Sequence, residues 1–217
     1  MSKKYKVDEI FRSISGETST AGTPSVFVRL YGCNLKCPYC DTPQEKWSTV
    51  MHDYEILARV IEESKGVIKH VILTGGEPLC QDIVPLVKLL IQHGFHIQVE
   101  TNGTIPLPDF MHSWLSYAMD VKLPSSDVAD KYKEVTRDNL HRLLPTDEVK
   151  FVIANHQDFR VALNVLQKYH TQAKILFSPM FDEEGKMLYT DFIEDLLDSE
   201  LKNWRIQVQL HKIVGVK

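Results

Sequence analysis

The chain has 217 residues, of which 43% are hydrophobic and 25% charged, with a formal net charge of −4. This ordinary composition excludes a disordered or low-complexity protein, and the length predicts a single domain, residues 1–217, with a substantial core. The weakly acidic balance predicts no nucleic-acid or anionic-membrane partner. No apolar segment approaches the length that spans a bilayer, and the amino-terminal residues lack the apolar stretch of a signal peptide.

Stretches with strand character alternate with stretches of helical periodicity along the chain. Strands are predicted at 4–11, 25–31, 70–74, 95–101, 117–122, 148–154, 174–178 and 205–210, and helices at 53–64, 82–93, 158–169 and 191–201. A mixed helical region lies between the fifth and sixth strands. This alternation is typical of an α/β fold with a parallel sheet. About six repeats are too few for a closed eight-stranded barrel, so we predict a partial (β/α)6 barrel resembling part of a TIM barrel, with some helices reduced to loops.

Polar and cysteine-rich segments directly follow five of the predicted parallel strands. They are the segment 32–42, Gly75-Gly76-Glu77-Pro78, Glu100-Thr-Asn-Gly103, Asp120 with Lys122, and Ser178-Pro179. Parallel α/β sheets bind their ligands at the carboxyl ends of the strands. We therefore expect these five loops to form one site.

Three of the four cysteines, Cys33, Cys37 and Cys40, lie within eight residues. This clustering argues against a secreted disulfide framework and favours a reducing cytosol. The thiolates are interpreted as ligands of a [4Fe–4S] cluster with one open iron, as part of a zinc site, or, for Cys37-Pro-Tyr-Cys40, as a redox dithiol. The cluster is favoured because it uses all three thiols. Cys80 is interpreted as an ordinary buried thiol.

The spacing C-x3-C-x2-C with an aromatic residue at Tyr39 resembles the signature of the radical S-adenosylmethionine (SAM) enzymes, and Gly75-Gly76-Glu77-Pro78 resembles their second motif. The resemblance implies that the open iron chelates SAM, which one electron cleaves to methionine and a 5′-deoxyadenosyl radical. Two glycines permit close backbone approach, and a carboxylate complements the methionyl ammonium. The cofactor contacts implied are Tyr39, Cys40, Asp41, Gly76, Glu77, Glu100, Asp120, Val121, Lys122, Ser178 and Pro179.

Segments from both ends of the chain are similar to the 7-carboxy-7-deazaguanine synthases of that superfamily. They include Glu9-Ile-Phe11, Ser15-Gly16-Glu17, Phe27-Val-Arg29, Glu100-Thr-Asn-Gly-Thr104, Asp120-Val-Lys-Leu-Pro-Ser-Ser126, Glu148-Val-Lys-Phe-Val-Ile153 and Gln207-Val-Gln-Leu-His211-Lys212. The resemblance implies conversion of 6-carboxy-5,6,7,8-tetrahydropterin to 7-carboxy-7-deazaguanine with loss of ammonia, a step toward queuosine and related 7-deazapurines. It further implies a cytoplasmic homodimer assisted by Mg²⁺, and we expect a flavodoxin or ferredoxin as electron donor.

The same resemblance implies the residues that bind the pterin and the metal ion. The pterin residues are Ile14, Ser15, Gly16, Glu17, Arg29, Thr74, His211 and Lys217, and Thr42 is the Mg²⁺ ligand. Glu17 suits the guanidine-like edge of the pterin, and Arg29 suits its carboxylate. One neutral oxygen at Thr42 is a poor magnesium site, so we expect the ion to bind together with the anionic substrate. Ser15 and Thr18 depart from the Gln and Gly that many members carry.

Two other functions remain open from the sequence. An activase that installs a glycyl radical on a partner protein shares this cysteine spacing, but it needs an open face for a large substrate. Glu17, Arg29 and a closing carboxyl terminus favour a small enclosed anion. A non-enzymatic zinc or thiol-redox module would be colourless and free of iron after anaerobic reconstitution.

Overall fold

The computed structural model describes residues 2–40, 42, 49–182 and 184–216. Within these residues, nine strands form one sheet: β1 (Lys4–Ile14), β2 (Pro24–Leu30), β3 (Thr49–His52), β4 (His70–Gly75), β5 (His96–Thr101), β6 (Leu115–Asp120), β7 (Glu148–Ile153), β8 (Lys174–Pro179) and β9 (Trp204–Ile206). Their order across the sheet is β3-β1-β2-β4-β5-β6-β7-β8-β9. Strand β1 is antiparallel to β2 and β3, whereas every neighbouring pair from β2 to β9 is parallel.

Helices occupy most connections between the parallel strands. They are α1 (Asp53–Ser64), α2 (Val84–Gln92), α3 (Lys133–Arg142), α4 (His156–Lys168) and α5 (Phe192–Leu197), with α6 (Leu210–Val214) following β9. Short 3-10 turns cover Pro78–Cys80, Pro124–Ser126 and Ala129–Tyr132. The connection from β5 to β6 contains no helix, and each of its residues is described. This arrangement is the predicted α/β partial barrel with one helix reduced to a loop.

The two faces of the parallel strands differ in polarity because successive side chains alternate between them. The helix-covered face is apolar, and its side chains join those of the helices in one buried cluster that includes Val28, Leu73, Val99, Met119, Phe151 and Phe177 with Ile56, Leu86, Leu140, Phe159 and Phe192. Burial of each large apolar side chain contributes about 1.5–3 kcal/mol. In each of these strands, a polar residue adjacent in sequence to the apolar one points to the opposite, inner face. These polar residues are Arg29, Thr74, Glu100, Asp120, Lys150 and Ser178. The apolar cluster therefore supports a polar interior.

A carboxylate network fixes the chain that leaves β6. Asn155 caps α4, its side chain accepting a hydrogen bond from the backbone N–H of Asp158 at 3.0 Å. The buried Asp158 carboxylate in turn accepts hydrogen bonds from the backbone N–H and the hydroxyl of Ser125, at 3.0 and 2.7 Å, and from the Ala154 N–H at 3.1 Å. The segment after Asp120 is thus held against the start of α4.

The structure differs from the predicted elements at β3 and near the carboxyl terminus. Strand β3 was not predicted, and the strand predicted at 205–210 ends at Ile206. The Gln207 N–H still donates to Phe177 O at 2.9 Å, but the chain then leaves the sheet to contact the loop between β1 and β2. Helix α5 ends at Leu197 and not at 201. Within the described residues, none of the helices has the length and apolar content that crossing a bilayer requires.

Candidate active site

A cavity of about 130 Å³ lies at the carboxyl ends of β4, β5 and β6. Its lining is polar and comes from four neighbouring strands, the turns after them and the loop between β1 and β2: Glu17, Thr18, Thr74, Gly75, Gly76, Glu100, Thr101, Asn102, Ala118, Asp120, Lys122 and Lys150. Six predicted site residues are among them. Lys150 also lines the cavity and was not predicted, whereas Thr101 and Asn102 belong to a loop predicted to lie at the site but were given no role of their own. A larger cavity of about 620 Å³ lies at the opposite strand ends, beside His70 and Trp114, away from all the predicted site residues.

The turn after β4, Gly75-Gly76-Glu77-Pro78 (the GGEP turn), lies directly against the start of the loop 32–40 that carries the three cysteines (the cysteine loop) because its first two residues are glycines. Gly75 has φ of +131°, and a Cβ atom there would lie 1.9 Å from Leu30 O. A Cβ atom on Gly76 would lie 2.4 Å from Gly32 O and 2.8 Å from Cys33 Cβ. The N–H groups of Gly76 and Glu77 donate to Leu30 O and Gly32 O at 3.2 and 2.8 Å. Any side chain at these glycines would therefore displace the cysteine loop.

The Glu77 carboxylate ties this turn to the end of β5. It is fully buried and accepts hydrogen bonds from Leu79 N (2.9 Å), Thr101 Oγ1 (2.9 Å) and Asn102 N (2.6 Å). Burial raises the pKa of Glu77, and these hydrogen bonds oppose that effect by stabilising the carboxylate. Contact of Glu77 with the methionyl ammonium stays a prediction.

The turn after β5 also touches the cysteine loop. Asn102 Nδ2 lies 3.9 Å from Cys33 Sγ and donates to Asn34 Oδ1 at 3.1 Å. Asn34 Nδ2 donates to Thr104 Oγ1 at 2.8 Å, and the Leu35 N–H donates to Cys33 Sγ at 3.4 Å. These bonds orient Cys33 from two sides.

The three clustered cysteines are free thiols, with Cys33 and Cys40 exposed and Cys37 half-buried. Burial raises the pKa of Cys33 and Cys37, and the charges of the other clustered cysteines raise it further. In the described part of the chain, no three His, Cys, Asp or Glu side chains are grouped to hold one metal ion. A structural zinc ion takes four protein ligands, whereas three thiolates can each bind a different iron of a [4Fe–4S] cluster and leave the fourth iron open. The donor set therefore fits a [4Fe–4S] cluster better than zinc.

Lys122 lies between the cysteine loop and the cavity. Its Nζ donates to Asp120 Oδ2 at 2.8 Å and lies 5.6 Å from the centre of the Tyr39 ring. Burial alone would lower the pKa of Lys122, but the charge and hydrogen bond of Asp120, together with Tyr39 and Cys37, outweigh it and hold the pKa above its usual range. Burial also raises the pKa of Tyr39. Lys122 is therefore a charged residue of the site and not a solvated surface lysine.

Asp120 carries a buried oxygen, Oδ1, that has no hydrogen-bond partner among the described residues. Leaving a buried acceptor unpaired costs about 1–3 kcal/mol, so such an atom indicates a position for a ligand donor. A hydroxyl or ammonium group of a cofactor would satisfy it. The residues at this edge of the cavity thus fit SAM.

Arg29 links Thr42, another predicted site residue, to β1. Its Nε donates to Glu9 Oε1 at 2.9 Å, and its Nη1 donates to Thr42 Oγ1 at 2.9 Å. The guanidinium also lies over the Phe11 ring at 5.7 Å. The Arg29 charge and the Thr42 hydroxyl are therefore adjacent.

Five charged or polar side chains meet at the wall of the cavity. Lys150 forms an ion pair with Glu17 Oε2, and Gln209 Nε2 donates to Glu17 Oε1 at 2.6 Å. Burial opposes ionisation of Glu17, yet the charge and hydrogen bond of Lys150, together with the Gln209 hydrogen bond and the His211 charge, outweigh it and lower the pKa of Glu17. Burial raises the pKa of Glu100, and so does the Glu17 charge. Thr74 Oγ1 donates to Glu100 Oε2 at 2.7 Å.

The loop between β1 and β2 is held by the chain that follows β9. A Cβ atom on Gly16 would lie 1.9 Å from His211 Nδ1, and the Leu210 N–H donates to Gly16 O at 2.8 Å. Ser15 is buried; its hydroxyl donates to Glu17 O at 2.9 Å and bonds the Thr20 hydroxyl at the same distance. The loop is thus brought beside His211, as the sequence predicts, while the Ser15 hydroxyl bonds within the loop.

Four of the remaining predicted residues are described but do not line the cavity. Ile14 ends β1, Val121 is buried after β6, and Ser178 and Pro179 are buried at the end of β8. Asp41 and Lys217 lie outside the described residues. The prediction that Cys80 is buried is wrong: it is exposed at the end of the 3-10 turn, where Leu79 takes the buried position.

Comparisons with known proteins define the class. The family model described as "Radical SAM superfamily" matches residues 27–172, and the chain belongs to this superfamily. A crystal structure of QueE from Escherichia coli is similar with a TM-score of 0.74 and 25% identity, covering 96% of this chain and 95% of that chain. The partial-barrel prediction is confirmed.

Relatives narrow the assignment. Proteins named 7-carboxy-7-deazaguanine synthase from Methanospirillum hungatei and Clostridium acetobutylicum are each 37% identical to this chain. The alignments cover 99% of this chain and 87% of the first relative, and 97% of this chain and 96% of the second. Within the radical SAM superfamily, the chain belongs to the family of the 7-carboxy-7-deazaguanine synthases. This membership confirms the predicted enzyme class and implies SAM and a [4Fe–4S] cluster, and none of the comparisons supports an activase or a zinc module.

Proposed function

We propose that this chain converts 6-carboxy-5,6,7,8-tetrahydropterin to 7-carboxy-7-deazaguanine with release of ammonia, in queuosine and 7-deazapurine biosynthesis. The observation that carries the proposal is one small polar cavity lined by Glu17 and by the GGEP turn, which packs directly against the cysteine loop. Membership of the synthase family supports the same substrate.

The cofactor residues follow from the fit described above. Cys33, Cys37 and Cys40 would hold the cluster, and Gly76 and Asp120 would contact SAM. When bound, the cluster and SAM supply the radical that starts the reaction. The cysteine loop is held against the GGEP turn by the hydrogen bonds to Leu30 O and Gly32 O, so this part of the site is preorganised before either group binds.

The substrate residues divide by charge. The Arg29 guanidinium suits the pterin carboxylate, and the Glu17 carboxylate suits the guanidine-like edge of the ring. Glu100 has a raised pKa from burial and from Glu17, which makes it the carboxyl group best suited to hold a proton beside the ring. The small polar cavity would also exclude most water from the reacting atoms.

A magnesium ion is part of the proposal at Thr42. Its hydroxyl already accepts a hydrogen bond from Arg29, so a pterin carboxylate bound by Arg29 would lie next to Thr42. Mg²⁺ keeps several waters and relies on substrate anions, so we expect it to bind with the pterin and not before it. Titration of Mg²⁺ should therefore lower the KM for the pterin while leaving SAM cleavage without pterin unchanged.

An electron donor and a dimer complete the proposal. The exposed Cys33 and Cys40 support delivery of electrons by a flavodoxin or ferredoxin at the cysteine loop. The homodimer expected for the family would be checked by sedimentation velocity. Each of these points is separate from the chemistry of the cavity.

The decisive experiment is an anaerobic assay of the cluster-loaded chain with a reductant, SAM, Mg²⁺ and 6-carboxytetrahydropterin, followed by mass spectrometry. We expect about four irons and four sulfides per chain and a product with the mass of 7-carboxy-7-deazaguanine. SAM cleavage without that product would contradict the substrate assignment while leaving the superfamily intact. A Cys37→Ser chain should show neither activity and serves as the control.

A further inference from the structure

Lys150 is a buried cation of the cavity that was not among the predicted site residues. It lies on the inner face of β7, next to Phe151 of the apolar cluster. Its Nζ forms an ion pair with Glu17 Oε2, and the two side chains are 16% and 13% exposed. Both residues line the cavity. Glu17 therefore meets any bound pterin while paired to Lys150.

The charges around this pair make Glu17 dependent on Lys150. Three carboxylates face this part of the interior: Glu17 from the loop, Glu100 from β5 and Asp120 from β6. Lys122 is paired to Asp120, and Arg29 is paired to Glu9. His211, from α6, adds a weaker favourable charge to Glu17. Without Lys150, burial would disfavour the Glu17 carboxylate with only the Gln209 hydrogen bond and the weaker His211 charge to oppose it.

The hydrogen bonds of Glu17 leave room for a planar ligand edge. An ionised carboxylate has about four acceptor positions, two on each oxygen. In the described part of the chain, Oε2 accepts from Lys150 and Oε1 accepts from Gln209. One acceptor position therefore remains on each oxygen. Two parallel N–H donors, such as those of a guanidine-like ring edge, match this pair.

We propose that Lys150 is a positioning residue that determines specificity: it keeps Glu17 a carboxylate with one free acceptor position on each oxygen, so that the cavity selects a ring edge with two adjacent N–H donors. The inference rests on the proposed pterin substrate. In a pterin, that edge is formed by the N3–H and the 2-amino group. In a lumazine, a 2-oxo group replaces the amino group and would face the Glu17 carboxylate as a second acceptor.

The ratio of the affinities for two ring ligands is a readout that a purely structural role of Lys150 would not change. The probes are 6-carboxypterin and 6-carboxylumazine, two stable oxidised rings that differ at this one substituent. Their binding to the cluster-loaded chain with SAM is measured by equilibrium dialysis. The wild-type chain should prefer the pterin by about 10- to 100-fold, the effect of one hydrogen bond to a charged group.

Two substitutions at Lys150 separate charge from packing. K150M removes the charge at similar length; the ratio should fall close to one, because a protonated Glu17 can donate to the 2-oxo group. The ratio should recover as the pH is raised and Glu17 ionises. K150R keeps the charge and should keep the preference. An unchanged ratio in K150M, or equal loss of the preference in K150R, would overturn the proposal.

A further pair covers the case in which K150M does not fold. E17Q already lacks the charge that Lys150 supports, so E17Q and E17Q/K150M should bind 6-carboxypterin within about threefold of each other. Further loss in the double variant would mean that Lys150 contacts the ligand itself and would refute the positioning role. A wild-type chain that binds neither ring would refute the proposed function. A wild-type preference that survives K150M would refute this inference alone.

Discussion

Gly76→Ala is the substitution whose effect the structure defines most directly. The new Cβ atom would lie 2.4 Å from Gly32 O, whereas ordinary contact begins at 3.4 Å. The backbone carrying Gly32 and Cys33 must therefore move by about 1 Å, since no flexible side chain separates the two segments. The Glu77 N–H bond to Gly32 O, 2.8 Å long, would lengthen with the same movement.

The magnitude follows from this displacement. Overpacking of this kind costs about 1–3 kcal/mol of folding stability, and a misplacement of about 1 Å among reacting groups costs about 100-fold in rate. We expect Gly76→Ala to fold, to bind less iron and sulfide after anaerobic reconstitution, and to cleave SAM about 100-fold more slowly per cluster. The assay combines iron and sulfide analysis, thermal unfolding and SAM cleavage.

A matched control is available in the same chain. Gly94 has φ of +83°, but a Cβ atom there would meet nothing within 4 Å. Gly94→Ala should cost about 1 kcal/mol of backbone strain and leave SAM cleavage unchanged. A folded Gly76→Ala chain with wild-type iron content and wild-type cleavage would refute the argument from close approach.

The remaining predictions concern charge and hydrogen bonding. Arg29→Ala should lower kcat/KM for the pterin about 10- to 100-fold and leave SAM cleavage without pterin intact. The control Arg59→Ala, which removes an exposed ion pair on α1, should change neither activity. Equal loss of both activities in Arg29→Ala would indicate a structural arginine. Glu77→Ala removes three hydrogen bonds to a buried carboxylate and should lower the free energy of unfolding by about 3 kcal/mol in urea titration; a loss below about 1 kcal/mol would contradict the tie to β5. Burial lowers the pKa of His70 to about 4, and the His96 charge adds to this effect. Because the unfolded chain binds this proton at a higher pH than the folded chain, up to about 3 kcal/mol of stability present above pH 6.5 should be lost as the pH falls to about 4. His70→Gln should flatten that part of the pH–stability profile, and an unchanged profile would be inconsistent with a buried neutral histidine.

The sequence predicted the parallel strands because their helix-facing positions are almost all apolar. Val28, Leu73, Val99 and Phe151 each belong to short runs rich in β-branched or aromatic residues, and all four are fully buried. Strand β3 carries no such signal. Its four residues form an edge strand that is half-buried or exposed, and pairing with β1 places it in the sheet.

Lys150 and Asn102 show why part of the site escaped prediction. The alternation Glu148-Val149-Lys150-Phe151 predicts a strand with one apolar and one polar face. Bulk water and a polar cavity both favour charged side chains, so the pattern does not distinguish them. The tertiary fold determines which of the two this face meets, because it places Lys150 against Glu17, 133 positions earlier in the chain. Asn102 acts through contacts with Asn34 and Cys33, which no local pattern encodes.

The contacts between the loop of Glu17 and the chain after β9 set an order for maturation. Gln207 and Gln209 bond Thr18 and Glu17 across 189 and 192 positions of sequence. During synthesis, the cysteine loop and the GGEP turn leave the ribosome long before these partners exist, since chains emerge from the amino terminus. The part of the molecule suited to iron is therefore available for metallation while the pterin end is still unformed. A nascent chain released before Gln207 would be able to acquire a cluster yet lack the support that aims Glu17 at the substrate.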